Sequence, residues 1–170
     1  METRAVALCL ALLGALCLMP QPAGAADDGV YVQSVQCIGG PYGLTLPTDA
    51  RKIRSLGKVV REEVGEIEQW DGYTATRKVI HFAGMSLGVI EFSNDPSRLM
   101  VTSAELTSVE WNRISPFKLR MPVADARALL GEAAANDPEL KKSYGSESDS
   151  VQIQSSKGVV MGVSYSCYSG

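Results

Sequence analysis

One histidine, four cysteines and nineteen acidic residues are the groups with the most chemistry to offer in this 170-residue chain. The histidine, His81, lies in the middle of a predicted strand. Cys9 and Cys17 fall inside an apolar N-terminal run, which leaves Cys37 and Cys167. One histidine and two cysteines do not make up the ligand set that zinc takes, so neither a metal nor a cofactor is expected. A Ser-His-acid relay would need His81 on an exposed strand face, with a serine and a carboxylate in hydrogen-bond reach. Gly84-Met85-Ser86-Leu87-Gly88 spaces a serine as a nucleophile elbow does, but a second strand follows it where the elbow requires a helix. His81 is therefore read as an ordinary strand histidine. The chain has no P-loop and no H-E-x-x-H.

Carboxylates are the other resource. Lys58 to Asp71 holds Glu62, Glu63, Glu66, Glu68 and Asp71 against only Lys58 and Arg61. A glycosidase-type hydrolase would need two of these acids facing across a cleft, one with a raised pKa. An acid run in a connection more commonly forms a solvated face. It can also meet a basic partner protein, where rim charges act mainly on association rate and specificity. Trp70 and Tyr73 flank the Asp71-Gly72 turn beside this run, and Tyr144 stands alone later in the chain. Aromatics of this kind in loops beside a sheet are common interface anchors. The five acids, Trp70, Tyr73 and Tyr144 form the candidate partner-binding set. No catalytic residue is assigned.

Composition narrows the setting. Ala5 to Met19 is wholly apolar, is shorter than a membrane span, and leads to an A-x-A site at Ala23-Gly24-Ala25. This predicts a signal peptide over 1–25 and no stable membrane anchor once it is removed. Leu8 and Leu16 precede the two cysteines of the run, where a lipoprotein signal needs a small residue. The product is expected to be periplasmic or secreted, with Cys37 and Cys167 paired as one disulfide in an oxidising compartment. The net charge of −3, with Lys and Arg scattered, carries no nucleic-acid footprint.

The elements that must position these groups follow from periodicity. Val30 to Ile38 alternates as a strand, which the disulfide would place beside the last one. Thr48 is a good N-cap for a short helix carrying Ala50, Ile53 and Leu56 on one face, and Gly57 is a natural stop. Val59, Val60, Val64 and Ile67 fit either a helical turn or a short strand, with Gly65 against a long regular element. Thr74–Phe82 and Met85–Ser93 form a hairpin, and Leu99–Trp111 a further strand. A second helix spans Val123–Leu130, with Ala126, Leu129 and Leu130 apolar. Val151–Gln154 and Val159–Tyr168 form a closing hairpin, whose second strand sets Val159, Met161, Val163, Tyr165 and Cys167 on one face.

Two stretches repeat one another. Pro41-Tyr42-Gly43-Leu44-Thr45-Leu46-Pro47 leads to Leu56-Gly57, and Pro116-Phe117-Lys118-Leu119-Arg120-Met121-Pro122 leads to Leu130-Gly131. Each is an aromatic-x-Leu-x-apolar-Pro approach, a short helix and a Leu-Gly stop. The predicted fold is α+β, with two tandem units over 27–96 and 97–170, each a short helix on an antiparallel sheet. Phe117 to Val123 with Ala128-Leu129-Leu130-Gly131 resembles the signature of the small outer-membrane assembly lipoproteins (SmpA/OmlA). The duplication resembles the β-lactamase inhibitor protein fold. Arg120 stands where the lipoprotein signature has Gly, Leu46 stands for Met in the first copy, and there is no lipobox cysteine. The resemblance implies a fold and no functional residue. The expected function is protein binding through a sheet face and the acidic stretch, as an inhibitor, immunity factor or envelope-assembly accessory. The alternatives are a periplasmic hydrolase with a carboxylate pair and a structural component of an envelope complex.

Overall fold

The structure, a computed structural model, describes residues 29–167. The predicted signal peptide and Tyr168 lie outside the described residues. The fold is mixed α+β: two short helices, α1 (Ala50–Arg54) and α2 (Val123–Leu130), lie on an eight-stranded sheet. The strands are β1 (Val30–Tyr31), β2 (Val59–Trp70), β3 (Tyr73–Phe82), β4 (Met85–Phe92), β5 (Asp95–Leu106), β6 (Ser143–Gly145), β7 (Ser150–Ser156) and β8 (Val159–Ser166). Their order is β1-β6-β7-β8-β5-β4-β3-β2, antiparallel throughout except for the β1–β6 pair. No helix among the described residues is long and apolar enough to cross a membrane.

One sheet face is apolar because alternate residues of the central strands are. Ile80 pairs with Leu87, Leu87 with Ala104 and Ala104 with Tyr165, and all four are buried. Opposed residues share a face, so this ladder builds a continuous floor. Ile53 of α1, Val123, Ala126 and Leu130 of α2, and Leu44, Phe117 and Leu119 of the connecting segments pack on it as one core.

Several expectations are revised. The first strand stops at Tyr31, and Val35 and Cys37 are buried from an irregular segment anchored by the Cys37 N–H donating to Asp149 at 2.9 Å. The disulfide Cys37–Cys167 is formed, with Cα atoms 5.5 Å apart across a sequence separation of 130. It ties that irregular segment to the end of β8; β1 itself lies beside β6. Asp49, and not Thr48, caps α1, accepting from the Arg51 N–H at 2.8 Å. Gly57 follows the Ser55 cap and lies close under Trp111, which a Cβ there would meet at 3.1 Å.

The acidic stretch is the long edge strand β2, and its pairing with β3 absorbs Gly65 in a register shift between Val64 and Ile67. The strand predicted to reach Trp111 ends at Leu106. Trp111 belongs to a 3-10 turn over Val109–Arg113, where its indole N–H donates to the Ala83 carbonyl at 2.8 Å. In β8 a shift opposite Gln154/Ser155 turns Met161 outward and Val160 inward, splitting the predicted face. Leu129 of α2 is exposed. The boundary between the two predicted units, at 96/97, falls within β5, and one sheet runs across it.

Candidate binding face

The sheet face away from the helices is uncovered among the described residues. Register defines it row by row. Ser143, Gln152, Ser164, Glu105, Ser86, His81 and Arg61 lie opposite one another in turn across seven strands. The next row runs Ser150, Ser166, Ser103, Gly88, Val79 and Glu63. The β5–β8 half is therefore small and polar. At its border, Gly88 of β4 leaves room for the Ser103 hydroxyl, which a Cβ would meet at 2.3 Å.

The half built from β2 to β5 is aromatic and charged. Ala75, Ile90 and Phe92 are buried in a second small cluster, with Tyr73 and Met100 packed against it. Trp70 and Tyr73, opposed across the hairpin, stack with centroids 6.2 Å apart and planes 5° from parallel. Tyr73 touches Phe92 at 6.0 Å, and the Arg98 guanidinium sits 4.3 Å from the Phe92 ring centre. The acids of β2 border this cluster. Glu68 lies 3.3 Å and Glu66 3.9 Å from Arg77, and Glu63 lies 2.7 Å from Arg61.

The sequence candidates therefore separate. Glu63, Glu66, Glu68, Trp70 and Tyr73 come together along one flank of the open face, with Asp71 exposed at the hairpin tip. Glu62 faces the helices instead: opposite Ile80, it accepts from Arg54 at 2.7 and 2.9 Å. That hydrogen bond holds the Glu62 carboxyl below the usual range. Arg54 also reaches Glu91 at 2.7 Å, and Lys78 meets Glu91 at the same distance. Burial pushes Glu91 up, but the two cations outweigh it and the carboxyl lies low.

Tyr144 is not at the surface. It is fully buried, its hydroxyl donates to Asp137 at 2.7 Å, and burial pushes the phenol pKa up. It faces the core because β6 pairs it with Val151, a residue of the apolar ladder.

Sequence reasoning missed Arg77, Ile90, Phe92, Arg98 and Met100, although strand alternation puts Arg77, Ile90 and Phe92 on the same face as His81. It also did not pair His81 with Ser86, a contact fixed by the tight Ala83-Gly84 turn. The Nδ1 of His81 lies 3.0 Å from the Ser86 hydroxyl, and Glu63 comes within 3.4 Å of Nε2 without completing a hydrogen bond. The larger clefts lie elsewhere, between β1 and the β6–β7 connection, beside the disulfide, and along α2. Among the described residues no group of three or more His, Cys, Asp or Glu side chains could hold a metal ion. Compared with family models, curated proteins and solved structures, the chain matches none.

Proposed function

We propose that the protein is exported and acts without a catalytic centre, by binding another protein across the open sheet face and the acidic flank of β2. The observation that carries this reading is the Trp70–Tyr73–Phe92 cluster, with Arg98 on Phe92, set beside the acids of β2 on an uncovered face. Aromatic and arginine side chains dominate interface energetics, and charges at the rim set specificity and encounter rate. An inhibitor, an immunity factor or an envelope-assembly accessory all fit such a face. Export is supported by the apolar run before Ala23-Gly24-Ala25 and by the Cys37–Cys167 bond, which persists in oxidising compartments.

An internal duplication like that of the β-lactamase inhibitor protein fold belongs to the same reading. The N-cap residue of each helix makes an isolated antiparallel bridge to one strand, Asp49 to Arg98 of β5 and Pro122 to Val159 of β8. Each helix packs on that strand, and β5 and β8 then pair with each other.

A photo-crosslinking residue at Tyr73, compared with one at the exposed Leu129, tests the binding face in the native host. A discrete protein adduct at Tyr73 alone, lost in Trp70→Ala, is expected. Equal labelling at both positions, or none at Tyr73, removes the reading. With the captured partner, Glu63→Lys with Glu66→Lys should slow association and leave the fold intact.

The Ser86–His81–Glu63 contacts favour a second, hydrolytic reading. β4 lies between β3 and β5, so the peptide N–H groups around Ser86 serve the ladder and leave no backbone donors for an oxyanion. A fluorophosphonate probe decides it: labelling that disappears in Ser86→Ala would make the protein an acyl-transfer enzyme.

A further inference from the structure

We propose that β2 pairs edge to edge, antiparallel, with β2 of a second copy of this chain. The inference concerns the sheet edge, which shares Trp70, Glu63 and Glu68 with the flank of the open face.

β2 ends the sheet, and its twelve residues present a row of backbone N–H and C=O groups to which no described strand pairs. A long unpaired edge is a template for another strand. Four of the eight large hydrophobic side chains exposed among the described residues lie on this one strand: Val60 at 63%, Val64 at 62%, Ile67 at 61% and Trp70 at 53%.

The strand is self-complementary. Opposed residues in an antiparallel pair share a face. Val64 and Ile67 pair with Lys78 and Thr76 and lie on the helix side, whereas Arg61 and Trp70 pair with His81 and Tyr73 and lie on the open side. A two-fold axis between Gly65 and Glu66 sets Val64 against Ile67 of the other copy and Arg61 against Trp70, each contact made twice. The first contact covers the exposed Val64 and Ile67, and the second lays a guanidinium on an exposed indole. The register shift between Val64 and Ile67 falls on the axis, so the pairs on either side stay in step. Glu63 would face Glu68, with Arg61 and Arg77 already beside them to offset the repulsion.

Glu63 has Arg61 of its own chain within 4 Å, and Glu66 and Glu68 share Arg77, so the acids brought together across the axis are already partly compensated. Edge pairing alone is a narrow contact beside standard interfaces of roughly 1,200–2,000 Å², so a concentration-dependent equilibrium is expected.

Sedimentation of the protein, purified as the cell processes it, over a wide concentration range tests this. A monomer–dimer equilibrium is expected. Val64→Glu and Ile67→Lys should each raise the dissociation constant by about tenfold or more, with unchanged circular dichroism, since each spoils two cross-strand pairs. Mixing the two variants should restore dimers. The carboxylate introduced in one chain then faces the ammonium introduced in the other, while the native Ile67–Val64 pair survives across the axis. A monomer at all concentrations, a dimer indifferent to both substitutions, or a mixture that fails to recover would overturn the proposal.

Discussion

Tyr42 and Phe117 hold matching places in the two aromatic-x-Leu-x-apolar-Pro stretches, and their rings stack on each other, centroids 6.3 Å apart and planes 12° from parallel. Leu44 and Leu119, two residues further on in each stretch, are both buried in the same core. The Tyr165 hydroxyl closes the seam, donating to the Tyr42 carbonyl at 3.0 Å and lying 3.2 Å from the Ser115 hydroxyl. The two similar stretches thus pack against each other in the core.

Truncation at this seam is expected to be severe and asymmetric. Phe117 is fully buried, so Phe117→Ala should cost about 3–5 kcal/mol, while the half-buried Tyr42 should cost less on truncation. Urea unfolding followed by circular dichroism measures both. A loss below about 1 kcal/mol at Phe117 would mean that the seam is not core.

Arg54 fastens α1 to β2 and β4 through Glu62 and Glu91. Arg54→Met leaves two carboxylates facing each other with only Lys78 nearby, whereas Glu62→Gln leaves the Arg54–Glu91 pair intact. The arginine variant should lose about 1–3 kcal/mol, more than the glutamine variant. Comparison of their unfolding midpoints checks the order.

Asp137 makes stability pH-dependent on the acid side. Burial pushes its carboxyl up, but the Lys141 and Lys142 N–H groups and the Tyr144 hydroxyl pull it further down, below the ordinary carboxylate value. Its stabilisation is full above the unfolded value near ~4 and is lost as pH falls through the lower folded value. Asp137→Asn should therefore be less stable than wild type at neutral pH by about 1–3 kcal/mol, with the gap closing in strong acid. Denaturant titrations at neutral and acid pH measure it; a gap independent of pH would refute the assignment.

Reducing the Cys37–Cys167 bond, or replacing both residues by serine, frees a loop of sequence separation 130. The chain-entropy model puts the loss at about 4–5 kcal/mol. A melting temperature unchanged by reductant would show that the bond does not constrain the unfolded chain.

Legibility followed the range of the deciding interaction. The β3–β4 hairpin, α2 and the paired cysteines were readable, because alternation, a short apolar period and cysteine number are local. Local pattern puts Trp111 on a strand, because nothing near it reveals that its indole reaches the Ala83 carbonyl. Alternation puts Met161 on the wrong face, because a bulge is set by the partner strand as much as by its own. Tyr144 looked like an outlying surface aromatic because its acceptor, Asp137, is recruited across a connection with no periodic signal.

The sequence by itself determined an α+β chain with a disulfide, an acidic stretch beside Trp70 and Tyr73, and two similar proline approaches. Tertiary structure alone decided that the acidic stretch is an edge strand, that Glu62 turns to Arg54 while Glu63 turns to the open face, and that His81 meets Ser86. The physical reason is register. A side chain's face depends on which residue of the neighbouring strand lies opposite it, and a single bulge reverses that assignment for every residue beyond.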